Sequence, residues 1–163
     1  MAKMTVNLGE DYCLKLSALA AGSEEIATRA LFEASAVVAD KVRANIEGLP
    51  EENFRYLTGD DIFDGVPPTQ KKDLLDSFGV TPIQRDANGV LTVKIGFDGY
   101  GRFPTKTYPH GLPNQLLACS IESGSSWRRK HPFVRPAVTA TRKAALEVMQ
   151  KVIDEETEKI MKG

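Results

Sequence analysis

Apolar residues recur at helical spacing along two long stretches, one near each end of the chain. In the first stretch, Ser23 has the side chain of a helix N-cap and two acidic residues follow it, as favoured in a first turn. The apolar positions that come next share one helix face and are Ile26, Ala30, Ala34, Val37, Val38, Val42 and Ile46. This pattern predicts a long amphipathic helix over residues 24–46, separated by Gly22 from a shorter helix over residues 10–20.

The second stretch extends to the C-terminus and has the same period. Its apolar positions are Ala137, Thr141, Ala144, Ala145, Val148, Met149, Val152, Ile153 and Ile160. They cover about seven helical turns and predict a long C-terminal helix.

The period changes between these two helices. Residues 70–78 favour a short helix with Thr69 as its N-cap. Residues 80–85 and 90–97 flank a turn of sequence DANG, and polar and apolar side chains alternate along the second of these segments. Together they predict a β-hairpin.

Two segments are rich in glycine and proline and have no sustained period. We expect residues 50–68 and 98–113 to form extended loops, the second of which presents the aromatic side chains of Tyr100, Phe103 and Tyr108. The complete pattern predicts one domain over residues 1–163. Its fold class is α+β, with a small, mostly antiparallel sheet packed by a long N-terminal helix and a long C-terminal helix.

Residues 120–138, SIESGSSWRRKHPFVRPAV, predict a joint of fixed shape before the last helix. Gly124 stands where a left-handed residue ends a helix, so the apolar positions just before it favour a short helix, with a strand as the alternative. Pro132 and Pro136 predict an extended backbone between them, because the residue before a proline avoids the helical region. Phe133, between the two prolines, is expected to plug the core.

Composition limits the classes of partner. The 163 residues include 21 Lys or Arg and 22 Asp or Glu, for a net charge of −1, so the chain as a whole does not attract nucleic acid or an anionic membrane. Cys13 and Cys119 fit no metal-ligand spacing and indicate buried or incidental thiols of a reducing cytosol. No apolar run approaches the ~20 residues that span a bilayer, so no membrane partner is expected.

No set of side chains predicts catalysis or a metal site. His110 and His131 each neighbour a proline and lack a carboxylate or a second histidine at metal-ligand spacing. The acidic residues 60–65 do not form an EF-hand, since the twelfth residue from Asp60 is Lys71 where a glutamate is needed. We therefore expect no enzyme activity, no cofactor and no bound metal.

Residues 127–131, Trp-Arg-Arg-Lys-His, form a concentrated basic and aromatic segment. One interpretation is contact with a partner subunit, because Trp and Arg dominate interface energetics. The alternatives are contact with DNA phosphates and a solvated loop whose Trp covers the local core. The three cations are expected to be exposed, so that replacing them with Ser would leave the fold intact.

Several of these segments resemble the HK97-gp10 family of phage tail components. The signature lies in IESGS, residues 121–125, followed by HPFVRPA, residues 131–137. Residues 72–78, KDLLDSF, resemble the D-L-x-x-S segment of the family, and residues 93–97, VKIGF, resemble its V-x-I-G strand. The resemblance covers the chain from Gly22 to the C-terminus.

The resemblance implies a structural protein of a long-tailed phage or prophage, located in the neck of the virion and assembled in the host cytoplasm. Its members are associated with tail completion and head-to-tail joining, so the expected assembly is a homo-oligomeric ring, most simply a hexamer. The expected partners are the head-tail connector and a tail terminator or tail tube protein, with genomic DNA passing through the ring without specific binding.

Two functions therefore stand against each other: the ring-forming neck component, and a nucleic-acid-binding or packaging-associated protein that uses residues 127–131. Glu122 and Arg135 flank the joint and are expected to pair within or between subunits, an exposed pair being worth less than about 1 kcal/mol. The candidate interface residues are Tyr100, Phe103, Tyr108, Glu122, Trp127, Arg128, Arg129, Lys130 and Arg135.

Overall fold

The computed structural model describes residues 9–162. Within them, four helices and four short strands follow one another along the chain. Their bounds are α1 Glu10–Glu47, α2 Pro68–Ser77, β1 Phe78–Val80, β2 Gln84–Arg85, β3 Leu91–Thr92, β4 Ile95–Phe97, α3 Asn114–Ser123 and α4 Val134–Lys162. The predicted α+β class, with a long helix near each end and a small antiparallel sheet, is confirmed.

α1 is one continuous helix of 38 residues, so the predicted break at Gly22 and the predicted N-cap at Ser23 are wrong. α4 packs antiparallel against it. Asn45 donates to the carbonyl of Phe133 at the start of α4 (2.8 Å), and a Cβ at Gly22 would lie 3.9 Å from Ile160 near the end of α4. This packing outweighs the roughly 1 kcal/mol by which glycine disfavours a helix interior.

α2 begins at Pro68, so the predicted N-cap at Thr69 is wrong and Thr69 lies inside the helix. Pro67 is the N-cap residue and Pro68 opens the first turn. Proline suits this position because its fixed φ is helical and its missing N–H would have no partner there.

The β-hairpin is confirmed, in an interrupted form. β1 pairs antiparallel with β4, and β2 with β3, so the sheet consists of two two-stranded ladders along one hairpin. Between the ladders, the amide of Thr81 donates to the carbonyl of Lys94 (2.8 Å) and its hydroxyl accepts the Lys94 amide (3.0 Å). Pro82 follows and has no amide hydrogen to continue the pairing.

The hydrophobic core lies where the C-terminal end of α1 meets α2, α3, the hairpin and the start of α4. Phe133 is 1% exposed and meets the ring of Phe97 edge-on, with centroids 6.0 Å apart, which confirms its expected place in the core. Ile46, Leu74 and Ile121 contribute one deeply buried side chain each from α1, α2 and α3.

α3 ends at Gly124 as predicted, and its helical backbone excludes the strand alternative. Gly124 has a φ of +75°. A Cβ at this position would lie 2.9 Å from the amide nitrogen of Lys130 and 3.0 Å from the carbonyl oxygen of Arg128. Both the dihedral angle and the close approach of the following loop therefore require glycine.

The loop of residues 50–68 packs against the rest of the subunit. Residues 50–68 form no regular strand, yet Phe63 and Val66 from this segment are buried. The Val66 amide donates to the carbonyl of Pro50 (2.9 Å), so the loop closes on itself and returns Phe63 and Val66 to the interior.

Both cysteines lie at exposed positions, so the thiols are incidental to the core rather than part of it. No helix of residues 9–162 is long and apolar enough to cross a membrane.

Candidate assembly interface

The basic segment is held by a backbone ladder to the loop that precedes α2. The Phe63 amide donates to the carbonyl of Trp127 (2.8 Å), and the Arg129 amide donates to the carbonyl of Phe63 (2.9 Å). Along such an extended segment, successive side chains point to opposite sides. Trp127 and Arg129 are accordingly exposed, while Arg128 points inward.

Arg128 is 2% exposed, so the expectation that all three cations of the segment are exposed is wrong for this residue. The carbon at the centre of its guanidinium lies 5.4 Å from the ring centroid of Phe63 and 4.9 Å from that of Trp127. Its Nη2 donates to Gln70 (3.0 Å), but Nε and Nη1 are buried without a partner among residues 9–162. Burial lowers the pKa of Arg128 because it disfavours the charged form.

Asp64 engages two other side chains of the segment. Its carboxylate lies 2.9 Å from Nη1 of Arg129 and 2.8 Å from Nε2 of His131. Lys130 is exposed and forms no ion pair with any residue that the structure describes. Of the three cations, then, Lys130 is both exposed and unpaired within the described chain.

Phe54 and Trp127 are exposed aromatic residues that both contact the buried ring of Phe63. Tyr56 and Ile62 are further exposed apolar residues of the loop that carries Phe54 and Phe63, and we call Phe54, Tyr56, Ile62 and Trp127 together the Trp127 patch. Tyr56 is 98% exposed and Phe54 is 62% exposed. Phe54 stacks on the buried ring of Phe63 at 5.6 Å, and that ring lies 6.4 Å from Trp127. Exposed aromatic side chains on a packed base are typical of a protein interface.

Ionic contacts brace the loop that carries the patch. Arg55 donates to Glu52 (2.8 Å) and to Asp61 (3.2 Å), and Glu52 also accepts the amide of Asp64 (2.6 Å). The hydrogen bond from Arg55, followed by that from the Asp64 amide, lowers the pKa of Glu52. The loop therefore presents its aromatic residues from a fixed backbone.

Sequence reasoning missed three members of the patch. Phe54, Tyr56 and Ile62 lie in a segment that was predicted only as a loop. The sequence did carry a signal for them, because large apolar residues in a surface loop without periodicity indicate a binding surface.

The aromatic residues of the other loop form a separate surface. Tyr100 and Phe103 are 61% and 62% exposed, and Tyr108 is half-buried. Tyr100 faces the ring of His110 at 6.5 Å. No hydrogen bond or ring contact among the described residues joins these side chains to Trp127, so the structure does not bring all the predicted site residues together.

The stem of this loop is firmly closed. Gly101 donates its amide to the carbonyl of Leu112 (2.8 Å), and Arg102 contacts the buried carboxylate of Asp73 (2.5 Å). Gly111 has a φ of +96°, and a Cβ there would lie 1.9 Å from the carbonyl oxygen of Gly101. Glycine is therefore obligatory at the point where the two stem strands meet.

Glu122 caps α4. Its carboxylate accepts the amides of Phe133 (2.7 Å), Val134 (2.9 Å) and Arg135 (3.0 Å). Pro136 has no amide hydrogen, so the N–H groups that a helix leaves without a partner at its start are all accounted for. The extended backbone predicted between the two prolines is wrong beyond Phe133, because this cap starts the helix at Val134.

Burial by itself would raise the pKa of Glu122, but the three amide hydrogen bonds outweigh it and the net pKa is lowered. Arg135 adds a weaker attraction. Its Nε lies 3.8 Å from Glu122 and its side chain is 78% exposed. The expected pair thus exists within the subunit, while the carboxylate acts chiefly on the backbone.

Residues 9–162 contain a groove but no cluster of potential metal ligands. No group of three or more His, Cys, Asp or Glu is placed to hold a metal ion within residues 9–162. A groove of about 620 Å³ between the hairpin and α3 is lined by apolar and hydroxyl side chains with Lys94 and Asp98 at its edges.

The chain was also compared with models of protein families. The family model of bacteriophage HK97-gp10, a tail component, matches residues 10–103, which is more than half of the chain. The match includes residues 72–78 and 93–97, whereas residues 120–138 lie outside it. No curated protein and no solved structure matches the chain. The chain belongs to the HK97-gp10 family of bacteriophage tail components.

Proposed function

We propose that this protein is a tail completion protein of a long-tailed phage or prophage, which forms a ring in the neck and joins filled heads to tails. One side of the ring contacts the head-tail connector, and the other contacts the tail terminator or the tail tube. The ring is most simply a hexamer, with the genome passing through its centre. Membership of a family of tail components supports a structural role in the virion.

The Trp127 patch is the observation that carries this proposal. Exposed aromatic side chains gathered around one buried ring mark a surface that a partner covers. The patch has two qualities of an interface anchor, large aromatic side chains and a rigid backbone, and the second reduces the entropy lost on binding. A neck ring needs such anchors both between subunits and toward its neighbours.

The geometry favours this function over nucleic-acid binding. Arg128 is buried and Arg129 is paired with Asp64, so two of the three cations of the segment are already engaged within the subunit. Phosphate binding gains its free energy from exposed cations that release counterions. Lys130 alone would release roughly one counterion, too few for tight binding to duplex DNA.

Deleting the gene from its phage or prophage tests the proposal. We expect the lysate to contain filled heads and separate tails in electron micrographs, with infectivity restored by the purified wild-type protein. A Trp127→Ala protein should restore little, whereas the matched variant Leu146→Ala, at another exposed apolar position, should act like the wild type. Normal joined virions after the deletion would overturn the proposal.

A further inference from the structure

The first turns of α1 project from the rest of the fold as an arm tip, residues 10–16. Past the contact between Gly22 and Ile160, α1 continues toward its N-terminus for about three turns, while α4 ends at Lys162 in less than one. No residue of α1 before Ala30 is buried within the described structure. The tip is thus a single helix that the body does not enclose.

The arm tip is apolar on two sides. Tyr12 and Leu16, 43% and 40% exposed, lie one turn apart on the same face, and Leu14, 69% exposed, lies on the opposite face. A helix with apolar residues around its circumference is typical of one that is buried. Glu10 and Asp11 add two carboxylates at its start, and Asp11 pairs with Lys15 one turn further on (3.4 Å), which leaves the tip with a net negative charge.

The Trp127 patch has the complementary chemistry. Its surface is aromatic, and beneath Trp127 the guanidinium of Arg128 holds two buried donors without a partner in residues 9–162. Lys130, two residues after Arg128, is exposed and forms no ion pair within residues 9–162. A buried guanidinium with two of its three nitrogens lacking an acceptor is unfavourable for the isolated subunit, and a carboxylate supplied from outside would satisfy them.

We propose that the arm tip of one copy docks on the Trp127 patch of the next copy. Tyr12 and Leu16, which share one face of the helix, pack against Phe54, Tyr56 and Trp127. The carboxylates of Glu10 and Asp11 face Arg128 and Lys130, with the Trp127 side chain turning aside to admit one of them to Arg128. This contact rests on the proposed function, because it is the one that builds the ring.

The positions of the two surfaces suit a ring. α1 is about 57 Å long, with the arm tip at its start and the segment that carries Phe54 and Tyr56 just beyond its end. One copy therefore offers different surfaces at its two ends. Such head-to-tail contacts are heterologous, and they close into a ring when the rotation between subunits permits it.

Mixing two defective proteins tests the contact. A tip variant, Tyr12→Asp with Leu16→Asp, and a patch variant, Trp127→Ala with Lys130→Glu, should each remain folded by circular dichroism and sediment as monomers at concentrations where the wild type is oligomeric. Mixed in equal amounts, they should form a one-to-one dimer, since one intact tip and one intact patch remain. Leu146→Asp, the matched exposed control, should oligomerise like the wild type.

Several results would overturn the proposal: a wild type that stays monomeric up to about 1 mM, the weakest range of specific association; variants that oligomerise normally; or a mixture that stays monomeric. Loss of duplex DNA binding in a patch variant that still oligomerises would favour the nucleic-acid function instead.

A buried-charge variant separates assembly from folding. Arg128→Met keeps an apolar side chain between the two rings and removes the unpaired charge. The urea midpoint of the isolated subunit should hold or rise, since replacing an uncompensated buried ion with an apolar group is often neutral or stabilising. Oligomerisation should weaken at least tenfold. Unchanged assembly would show that no partner carboxylate reaches Arg128.

Failure of this contact is distinguishable from failure of the proposed function. If tip variants join heads to tails normally while the gene deletion blocks joining, the protein acts in the neck but its ring uses another contact. If the tip and patch variants behave as expected in solution while the deletion leaves joining intact, the contact exists and the neck function is wrong.

Discussion

Glu122 links α3 to α4 by bonding three successive backbone amides with one carboxylate. A helix start usually depends on a Ser, Thr, Asp or Asn that immediately precedes it, whereas this cap comes from eleven residues earlier in the chain. The loop between α3 and α4 is thereby closed at its base, and the basic segment is presented from a fixed frame.

Replacing Glu122 with Gln should lower the free energy of unfolding by about 2 kcal/mol at neutral pH. Gln offers one oxygen and an NH₂ group that opposes the amide donors, which leaves buried N–H groups unsatisfied. Chemical denaturation measures the loss. Glu147→Gln, at an exposed position paired with Lys143, should change stability by less than about 0.5 kcal/mol. Equal effects of the two variants would contradict the capping role.

The stability difference between the wild type and Glu122→Gln should depend on pH. The folded pKa of Glu122 is lowered, so its contribution is fully present above the ordinary carboxyl pKa and is lost as the pH falls through the lowered value. The difference in unfolding free energy between wild type and Glu122→Gln should therefore shrink in acid. A difference that stays constant down to strongly acidic pH would show that the charge is irrelevant.

Phe133→Ala should destabilise the protein by about 3 kcal/mol or more, because it removes a large buried ring and leaves a cavity beside Phe97. Urea denaturation gives the value. Phe103→Ala makes the same chemical change at a position that is 62% exposed, and its midpoint should hardly move. A small effect at Phe133 would place its ring outside the core.

Among the elements, the loop of residues 98–113 combines a rigid stem with an exposed end. Hydrogen bonds between Gly101 and Leu112 and the contact of Arg102 with Asp73 hold the stem against α2. Beyond the stem, Phe103 lies in solvent. We therefore expect only the outer part of this segment to be mobile in the isolated subunit.

Hydrogen exchange measures this division. In the isolated subunit the amides of Gly101 and Asn114 should exchange slowly, because they donate to the stem carbonyls of Leu112 and Gly99. The amides of Phe103, Lys106 and Thr107, which form no hydrogen bond within residues 9–162, should exchange quickly. On assembly the outer amides should become protected if the aromatic side chains enter an interface. Strong protection of Phe103, Lys106 and Thr107 in a monomer would refute the prediction.

At the scale of the whole molecule, the chain has a compact body and a long helical arm. The buried apolar residues gather at the C-terminal half of α1, whereas the N-terminal half pairs with α4 and buries little. Contacts such as the ion pair of Arg29 with Glu156 keep the two helices together. The N-terminal half of α1 therefore adds few side chains to the core and extends the subunit away from it.

The exposed cations of the basic segment predict an effect on assembly without an effect on folding. Arg129→Ser combined with Lys130→Ser should change the free energy of unfolding by less than about 0.5 kcal/mol, because both side chains are exposed. Urea denaturation measures this free energy. Joining of purified heads and tails in vitro should slow, since interface charges govern encounter and partner choice. The double variant leaves Arg128 in place, because its removal would alter the packing between Phe63 and Trp127.

Equal joining rates for wild type and double variant would show that the segment is merely solvated. Lys143→Ser combined with Lys151→Ser, which removes two exposed cations from α4, is the charge-matched control and should join normally.

The sequence by itself determined the features that depend on neighbours a few residues apart. Helical periodicity gave the two long helices, the DANG turn gave the hairpin, and Gly124 ended α3 because its backbone conformation excludes other residues. The burial of Phe133 followed equally from its local setting. The sequence motifs that resemble the HK97-gp10 family also predicted the family membership that the comparison confirmed.

Tertiary structure decided what depends on residues distant in the chain. α1 continues through Gly22 because α4 packs beside it, and α4 starts at Val134 because Glu122 reaches its first amides. Arg128 looked exposed among its charged neighbours, but a ladder with Phe63 turns it inward. Local propensity amounts to a fraction of a kcal/mol per residue, so contacts between distant segments override it wherever they bury a side chain or satisfy a backbone group.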